Sequence, residues 1–364
     1  MHKVLITAPS LDEKDNVSGI SSIVREIVNN QRTFEQVHFQ LGSADRQKKN
    51  LKWAFQQSAL LPKYLALLIR HKIAIVHFNT GFERFSLVRD FVIFFISKKI
   101  FRKKAVLHIH GGSYLMNPPK DFVFKKIIRS FILNADSVVV LSEIEKDRLL
   151  KDYSFGNGIV LPNVVNISKA GVIADKAGTK RVRFCFLGRI VKSKGIFEIA
   201  AALKNLSSLY ERFEFDIYGT GPMLDQFLQE LKTCEGLHYT YHGVVAGDQK
   251  WAALRSADVF LLPSLYGEGL PIAMLEAMAC ACIVVVSNDA SITSVVTDKV
   301  NGIVIEKNDV SALEYYIKDI ICNADRYSAL GKRARLTIEK DFGVTNYITD
   351  LEHIYSNLLY ATKD

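Results

Sequence analysis

Apolar positions follow two rhythms that alternate along almost the whole chain. Short runs of apolar and β-branched residues predict strands at 4–7, 37–41, 74–78, 105–110, 137–141 and 158–161. Between them the apolar spacing widens to three and four. Ile20, Ile23, Val24, Ile27 and Val28 share one face of a predicted helix at 20–30. Similar spacing predicts helices at 120–133 and 143–150. Strand alternating with helix implies a parallel sheet covered by helices.

This first series runs out near Leu161-Pro162-Asn163, and the polar stretch 168–180, with Gly171 and Gly178, reads as a linker. A second series follows, with strands at 183–187, 213–218, 237–241, 258–262, 283–287 and 302–305. Its helices include 270–279 and 310–322, and a last helix at 345–360 has no strand after it. The fold class is therefore α/β, with two Rossmann-like halves in tandem. Ligands of such sheets bind beyond the carboxyl ends of the strands, so two facing halves would enclose one cleft.

At 364 residues the chain is long enough for two domains, and 49% hydrophobic with 23% charged residues is ordinary for a globular protein. The most apolar segment, Phe91-Val92-Ile93-Phe94-Phe95-Ile96, is far short of the roughly 20 residues that span a bilayer. The opening residues, Met1-His2-Lys3 then Val4 to Ala8, read as a strand rather than a signal peptide. Five cysteines without a CxxC pair suggest reduced thiols and a cytoplasmic location. Cys280 and Cys282 read as packing residues.

Charge is unevenly spread. Residues 1–180 hold 28 Lys and Arg against 15 Asp and Glu, while residues 181–364 hold 19 against 23. An anionic partner for the first half follows, whether membrane surface, phosphate-bearing acceptor or nucleic acid. No nucleic-acid recognition module is present, which disfavours the last. Phe91 to Lys104 joins aromatics to five cations and suits either an anionic membrane surface or a buried helix with a solvated basic end.

The second half holds the candidate chemistry. Gly188-Arg189 through Lys194-Gly195 follows a predicted strand and sets two cations at its carboxyl end. Arg189 offers a planar fork and Lys194 a mobile point charge, both suited to a diphosphate, although a solvent-facing basic loop fits as well. Tyr218-Gly219-Thr220-Gly221-Pro222 is either a plain turn or a loop that a ligand approaches closely. Ala257-Asp258-Val259-Phe260-Leu261-Leu262-Pro263-Ser264 then empties into Glu268-Gly269-Leu270-Pro271 and an apolar helix. The amides opening that helix favour an anion. Glu276 lies eight residues past Glu268, at most about 12 Å along a helix axis. One carboxylate suits sugar hydroxyls and the other a ribose. Glu276 also sits among Met274, Leu275, Ala277 and Met278, an apolar place for an unpaired carboxylate.

In order and content these segments resemble the retaining glycosyltransferases of family 4. The resemblance is dense over 183–310 and loose before it. It implies the GT-B fold, two Rossmann-like domains facing across a central cleft: an acceptor domain at 1–165, a nucleotide-sugar donor domain at 166–344, and a final helix at 345–364 crossing back to the first. It implies transfer of a hexose from a nucleotide diphosphate sugar, a UDP-sugar by expectation, with retention of configuration. Arg189 and Lys194 would bind the donor diphosphate, and Glu276 the ribose. Glu268 with the amides of Gly269 and Leu270 would hold the sugar, and Val244 would border the base. In the first half Gly19, after Ser18, looks like the glycine loop placed against the diphosphate, and Gly221 is counted with it among the donor-binding residues. His110, after His108-Ile109, resembles the family's cleft histidine, and His108 reads as structural. The catalytic set is Glu268, His110, Arg189 and Lys194.

Two segments depart from the family. Ala281 and Ile283 stand where Gly and Pro are frequent, and 290–294 stands where many members carry Gly-Gly-x-x-Glu. There is no Asp-x-Asp sequence and no zinc-like spacing, so the transfer is expected to need neither metal nor cofactor. The expected acceptor is a sugar, carried on a lipid, in surface polysaccharide synthesis, with the protein peripheral on the inner face of the membrane. A nucleotide-sugar epimerase of similar fold, or a non-catalytic binding relative, is the alternative.

Overall fold

The structure, a computed structural model, describes residues 1–42, 59–172 and 181–360. Most of the expected linker, 173–180, lies outside the described residues. The chain divides into two compact units, Met1–Asn163 with Val344–Asp364, and Val164–Gly343.

In the first unit the order is β1 (Lys3–Ala8), α1 (Gly19–Asn30), β2 (Glu35–Gln40), α2 (Leu60–Arg70), β3 (Ile73–Thr80), α3 (Arg84–Phe95), β4 (Lys104–Ile109), α4 (Phe122–Asn134), β5 (Ser137–Val140), α5 (Glu143–Tyr153) and β6 (Ile159–Val160). The strands pair in parallel in the order β2-β1-β3-β4-β5-β6. Three helices start where a side chain satisfies the open amides of the first turn: Ser18, Asp121 and Ser142 cap α1, α4 and α5. Phe78 from β3, Phe94 from α3 and Phe131 from α4 cluster in the core.

The second unit runs β7 (Val182–Leu187), α6 (Ile196–Lys204), β8 (Phe213–Tyr218), α7 (Leu224–Lys232), β9 (Tyr239–Gly243), α8 (Gly247–Ser256), β10 (Val259–Leu262), α9 (Ile272–Ala279), β11 (Ile283–Ser287), β12 (Ile303–Ile305), α10 (Val310–Cys322) and α11 (Ala324–Asp341). Its parallel order is β12-β11-β10-β7-β8-β9. The chain first winds from β7 toward β9, then returns to the other side of β7 with β10. The crevice between the ends of β7 and β10 is thus the topological switch point of this sheet.

The last helix, α12 (Val344–Tyr360), packs on the first unit. Tyr355 meets Phe34 edge to face, and the Thr33 amide donates to Glu352 at 3.3 Å.

Several predicted bounds shift by one to three residues, and two of the shifts have a local cause. Helix α9 starts at Ile272 rather than 270, because Pro271 holds an extended ψ of 117° at the cap and disfavours helix at the residue before it. Strand β9 starts at Tyr239 rather than 237, because Leu237 closes a turn on the Cys234 carbonyl at 3.0 Å. Cys280 and Cys282 are fully buried. Ala281 between them has φ +56°, the left-handed region that favours glycine, and it stands where the family often has one.

Candidate functional site

The loops leaving β7 and β10 interlock at the switch point. The Leu265 amide donates to the Ser193 carbonyl at 2.8 Å. Gly195 has φ +72°, and a Cβ there would lie 2.0 Å from the Pro263 carbonyl oxygen. Only glycine allows the two backbones to come so close.

This approach brings Lys194 onto Glu268, although 74 residues separate them. Lys194 Nζ lies 2.5 Å from Glu268 Oε1 and 2.7 Å from Oε2, and Ser264 Oγ donates to Oε1 at 2.5 Å. Glu268 is 5% exposed, so its charge is held by direct partners rather than by water. The loop after β11 supports the same residue. Asp289 accepts from the Glu268 amide at 3.3 Å and pairs with Lys307, and Ser287 Oγ donates to the Ser264 carbonyl. An ammonium group has three donors, and two of those on Lys194 point at Glu268, leaving one for a ligand.

Arg189 sits on the same loop as Lys194. It is exposed, and its side chain makes no hydrogen bond or ion pair among the described residues. The expected anion-binding pair therefore divides into one committed and one uncommitted cation.

Glu276 lies in α9, 6% exposed, with Lys250 Nζ at 2.5 Å from Oε1. The carboxylate expected to be unpaired in apolar surroundings has a cationic partner from α8. Lys250 was not legible as a site residue: its only signal is a lysine beside the buried Trp251, near the start of a helix.

The glycine loop after β8 has a packing explanation. A Cβ on Gly221 would lie 2.1 Å from the Ile190 carbonyl oxygen, so this glycine lets the loop after β8 rest on the Arg189 loop. Val244 follows β9 and is half-buried. Gly269 is half-buried and Leu270 buried, between Glu268 and the first turn of α9.

In the first unit, Gly19 is the first residue of α1 behind the Ser18 cap, and His110 follows β4. His110 ends a ladder of polar rings. The Tyr355 hydroxyl lies 2.6 Å from His77 Nδ1, His77 Nε2 lies 3.3 Å from His108 Nδ1, and the rings of His108 and His110 stack at 4.1 Å. His110 Nε2 donates to Asn79 Oδ1 at 2.8 Å. Burial lowers the pKa of all three histidines. It reaches about 3 for His77 and about 3 for His110, where a hydrogen bond to Asn163 works in the opposite direction. All three are neutral near pH 7, so with Nε2 donating to Asn79 the other ring nitrogen of His110 is an acceptor, and the ring brings no positive charge.

The ladder has a stability consequence. Each histidine binds a proton less readily folded than unfolded, so its contribution is whole above about pH 6.5 and is lost as pH falls toward about 3. The urea midpoint is expected to decline between about pH 6.5 and about pH 5, above the range where most carboxylates titrate. A flat midpoint across that interval would contradict the ladder.

Among the described residues no cluster of three or more His, Cys, Asp or Glu has metal-binding geometry, and no helix is long and apolar enough to cross a membrane.

Known proteins are similar to this chain. Residues 174–337 match the family described as glycosyl transferases group 1. An uncharacterised glycosyltransferase of Methanocaldococcus jannaschii is 26% identical over 284 residues, 73% of this chain and 71% of that one. A UDP-Gal:alpha-D-GlcNAc-diphosphoundecaprenol alpha-1,3-galactosyltransferase of Escherichia coli is 24% identical over 332 residues, 85% of this chain and 82% of the relative. Among solved structures, sucrose-phosphate synthase from Thermosynechococcus elongatus aligns over the whole of both chains with a TM-score of 0.82 at 17% identity. HepE of Anabaena, solved with UDP and glucose, aligns over 98% of this chain and all of its own with a TM-score of 0.76 at 15% identity. The two parallel six-stranded sheets with their helices are the GT-B fold.

Proposed function

We propose, from a chain whose residues 174–337 match the family of glycosyl transferases group 1, that the protein transfers a hexose from a UDP-sugar to a lipid-linked sugar acceptor, with retention of configuration and without a metal ion. The observation that carries the reading is the meeting of Lys194 and Glu268 at the β7/β10 switch point, with Arg189 uncommitted on the same loop.

In this reading Glu268 accepts hydrogen bonds from the sugar hydroxyls, and Lys194 and Ser264 hold its orientation. Gly269 and Leu270 present their amides to the same sugar. The bond from the anomeric carbon to the diphosphate oxygen breaks, and the acceptor hydroxyl oxygen bonds that carbon and releases its proton. Negative charge grows on the departing diphosphate. Arg189, the remaining Lys194 donor and the amides opening α9 stabilise it, in the place a metal ion would take. Glu276 with Lys250 offers an acceptor and a donor to the ribose hydroxyls. Val244 borders the base, and by the same resemblance Gly19 would lie against the diphosphate and His110 near the donor sugar. HepE, solved with UDP, supports the choice of nucleotide, and the galactosyltransferase named for a diphosphoundecaprenol acceptor supports a lipid carrier in surface polysaccharide synthesis.

Incubation with a panel of UDP-sugars, with and without a short polyprenyl-diphosphate sugar, tests the reading. UDP release that depends on acceptor, with an α-configured product by NMR, is expected. Isomerised donor without acceptor would replace the transferase by an epimerase.

Glu276→Gln keeps the side-chain volume but removes the charge. It is expected to weaken UDP-sugar binding about tenfold, the size of one charged hydrogen bond. Calorimetric titration reads this directly, and unchanged affinity would remove Glu276 from the donor site.

A further inference from the structure

We propose that the outer faces of α3 and α4 form a docking surface for an anionic lipid membrane. This deepens the reading above, and rests on it only for the lipid that carries the acceptor.

A surface helix ordinarily turns polar residues outward, and α3 does not. Phe85, Val88, Val92 and Phe95, spaced three, four and three apart, are all exposed on one face, Phe85 at 64%. The opposite face, with Leu87, Ile93 and Phe94, is buried against the sheet. Only part of the aromatic run from Phe91 is therefore available to a partner. Next to α3, helix α4 opens with Phe122 at 76% and Val123 at 59% exposure. Arg84 lies over the Phe124 ring at 5.5 Å, so the amino-terminal ends of the two helices are neighbours. Eight of the twenty exposed large apolar side chains among the described residues fall between Phe85 and Leu133. Concentration on one face marks an interaction surface, where scattered single residues would not.

Charge selects the occupant. Exposed cations Lys99, Lys125, Lys126 and Arg129 flank the apolar row and make no ion pair among the described residues. The one acid within α3 and α4 is Asp90, which is buried and pairs with Arg89. Apolar side chains bordered by unpaired cations match acyl chains beneath anionic headgroups. A second copy docked face to face would set like charges against each other.

The orientation also fits. Helices α3 and α4 begin at the carboxyl ends of β3 and β4, the edge where His110 lies. The Ser113 amide and hydroxyl both donate to Glu83, the residue capping α3, at 2.7 and 3.0 Å. Insertion of Phe85, Phe122 and Val123 would bring that edge of the first unit toward the bilayer, where a lipid-borne sugar is presented.

Flotation of the full chain tests the surface, using vesicles of phosphatidylcholine alone and of phosphatidylcholine mixed with phosphatidylglycerol. Binding to the mixed vesicles only is expected. It should fall at least fivefold in Phe122→Ser/Val123→Ser and in Lys125→Glu/Lys126→Glu, with unchanged melting temperature because all four side chains are exposed. Leu336→Ser, exposed on α11, should bind as the unaltered chain does. Three results would each overturn the proposal: no binding to anionic vesicles, equal binding by both double variants, or self-association that these substitutions abolish without any vesicle binding. Transfer to a water-soluble acceptor separates the two ideas. Activity without vesicle binding removes the surface and leaves the transferase, whereas binding without activity does the reverse.

Discussion

Arg189→Ala is expected to reduce turnover by about 10²-fold or more while leaving the fold as stable as before. The first half of this expectation follows from chemistry. A departing nucleoside diphosphate gathers charge, and Arg189, on the β7 loop beside Lys194, has no side-chain partner among the described residues. Its planar fork can hold two phosphate oxygens at once, which lysine cannot imitate. The second half follows from its exposure. A side chain in water with no partner changes stability by about 0.5 kcal/mol or less when it is removed. Steady-state transfer and a urea titration on the same preparation give both readings. Equal turnover would show that the diphosphate lies elsewhere. A large fall in the urea midpoint would show that Arg189 serves the fold.

Gly195→Ala is expected to destabilise the protein by about 3 kcal/mol and to impair donor binding as well. A methyl group at φ +72° costs about 1 kcal/mol by local sterics. Its position 2.0 Å from the Pro263 oxygen then forces the two loops apart, at a further cost of about 1–3 kcal/mol. The displaced loop carries Lys194, so the contact with Glu268 opens together with the backbone. Urea unfolding measures the first effect and UDP-sugar titration the second. Normal stability in this variant would mean that the β7 and β10 loops separate easily, and the arrangement built on their contact would fail with it.

The contrast between Gly195 and Gly221 shows how a glycine-rich pattern is read. Both follow strands and both suit a ligand loop by sequence. In the structure each meets a neighbouring backbone, Pro263 for one and Ile190 for the other. Their requirement for glycine is explained before any ligand is considered. The pattern correctly marks close approach, and only the neighbours reveal what approaches.

A similar division holds for the carboxylates. Glu268 and Glu276 stand out in sequence because acidic residues beside an apolar helix need a reason to be there. Neither partner was visible. Lys194 precedes Glu268 by 74 positions and Lys250 precedes Glu276 by 26. Local spacing reports neighbours one or two helical turns away and is silent beyond that.

The alternation of apolar rhythms determined the twelve strands of the described residues, half of the twelve helices labelled above, and the break between two sheets. These depend on which face of each element is buried, and that is written locally in periods of two and 3.6. The tertiary structure alone decided the order of strands. β10 returns to lie beside β7, and this adjacency creates the crevice, joins Lys194 to Glu268 and leaves Arg189 unengaged beside them. In the first unit the same holds for His77 and Tyr355, 278 residues apart. Strand order arises from the balance of many long-range burial contacts, and no short window of sequence contains that balance.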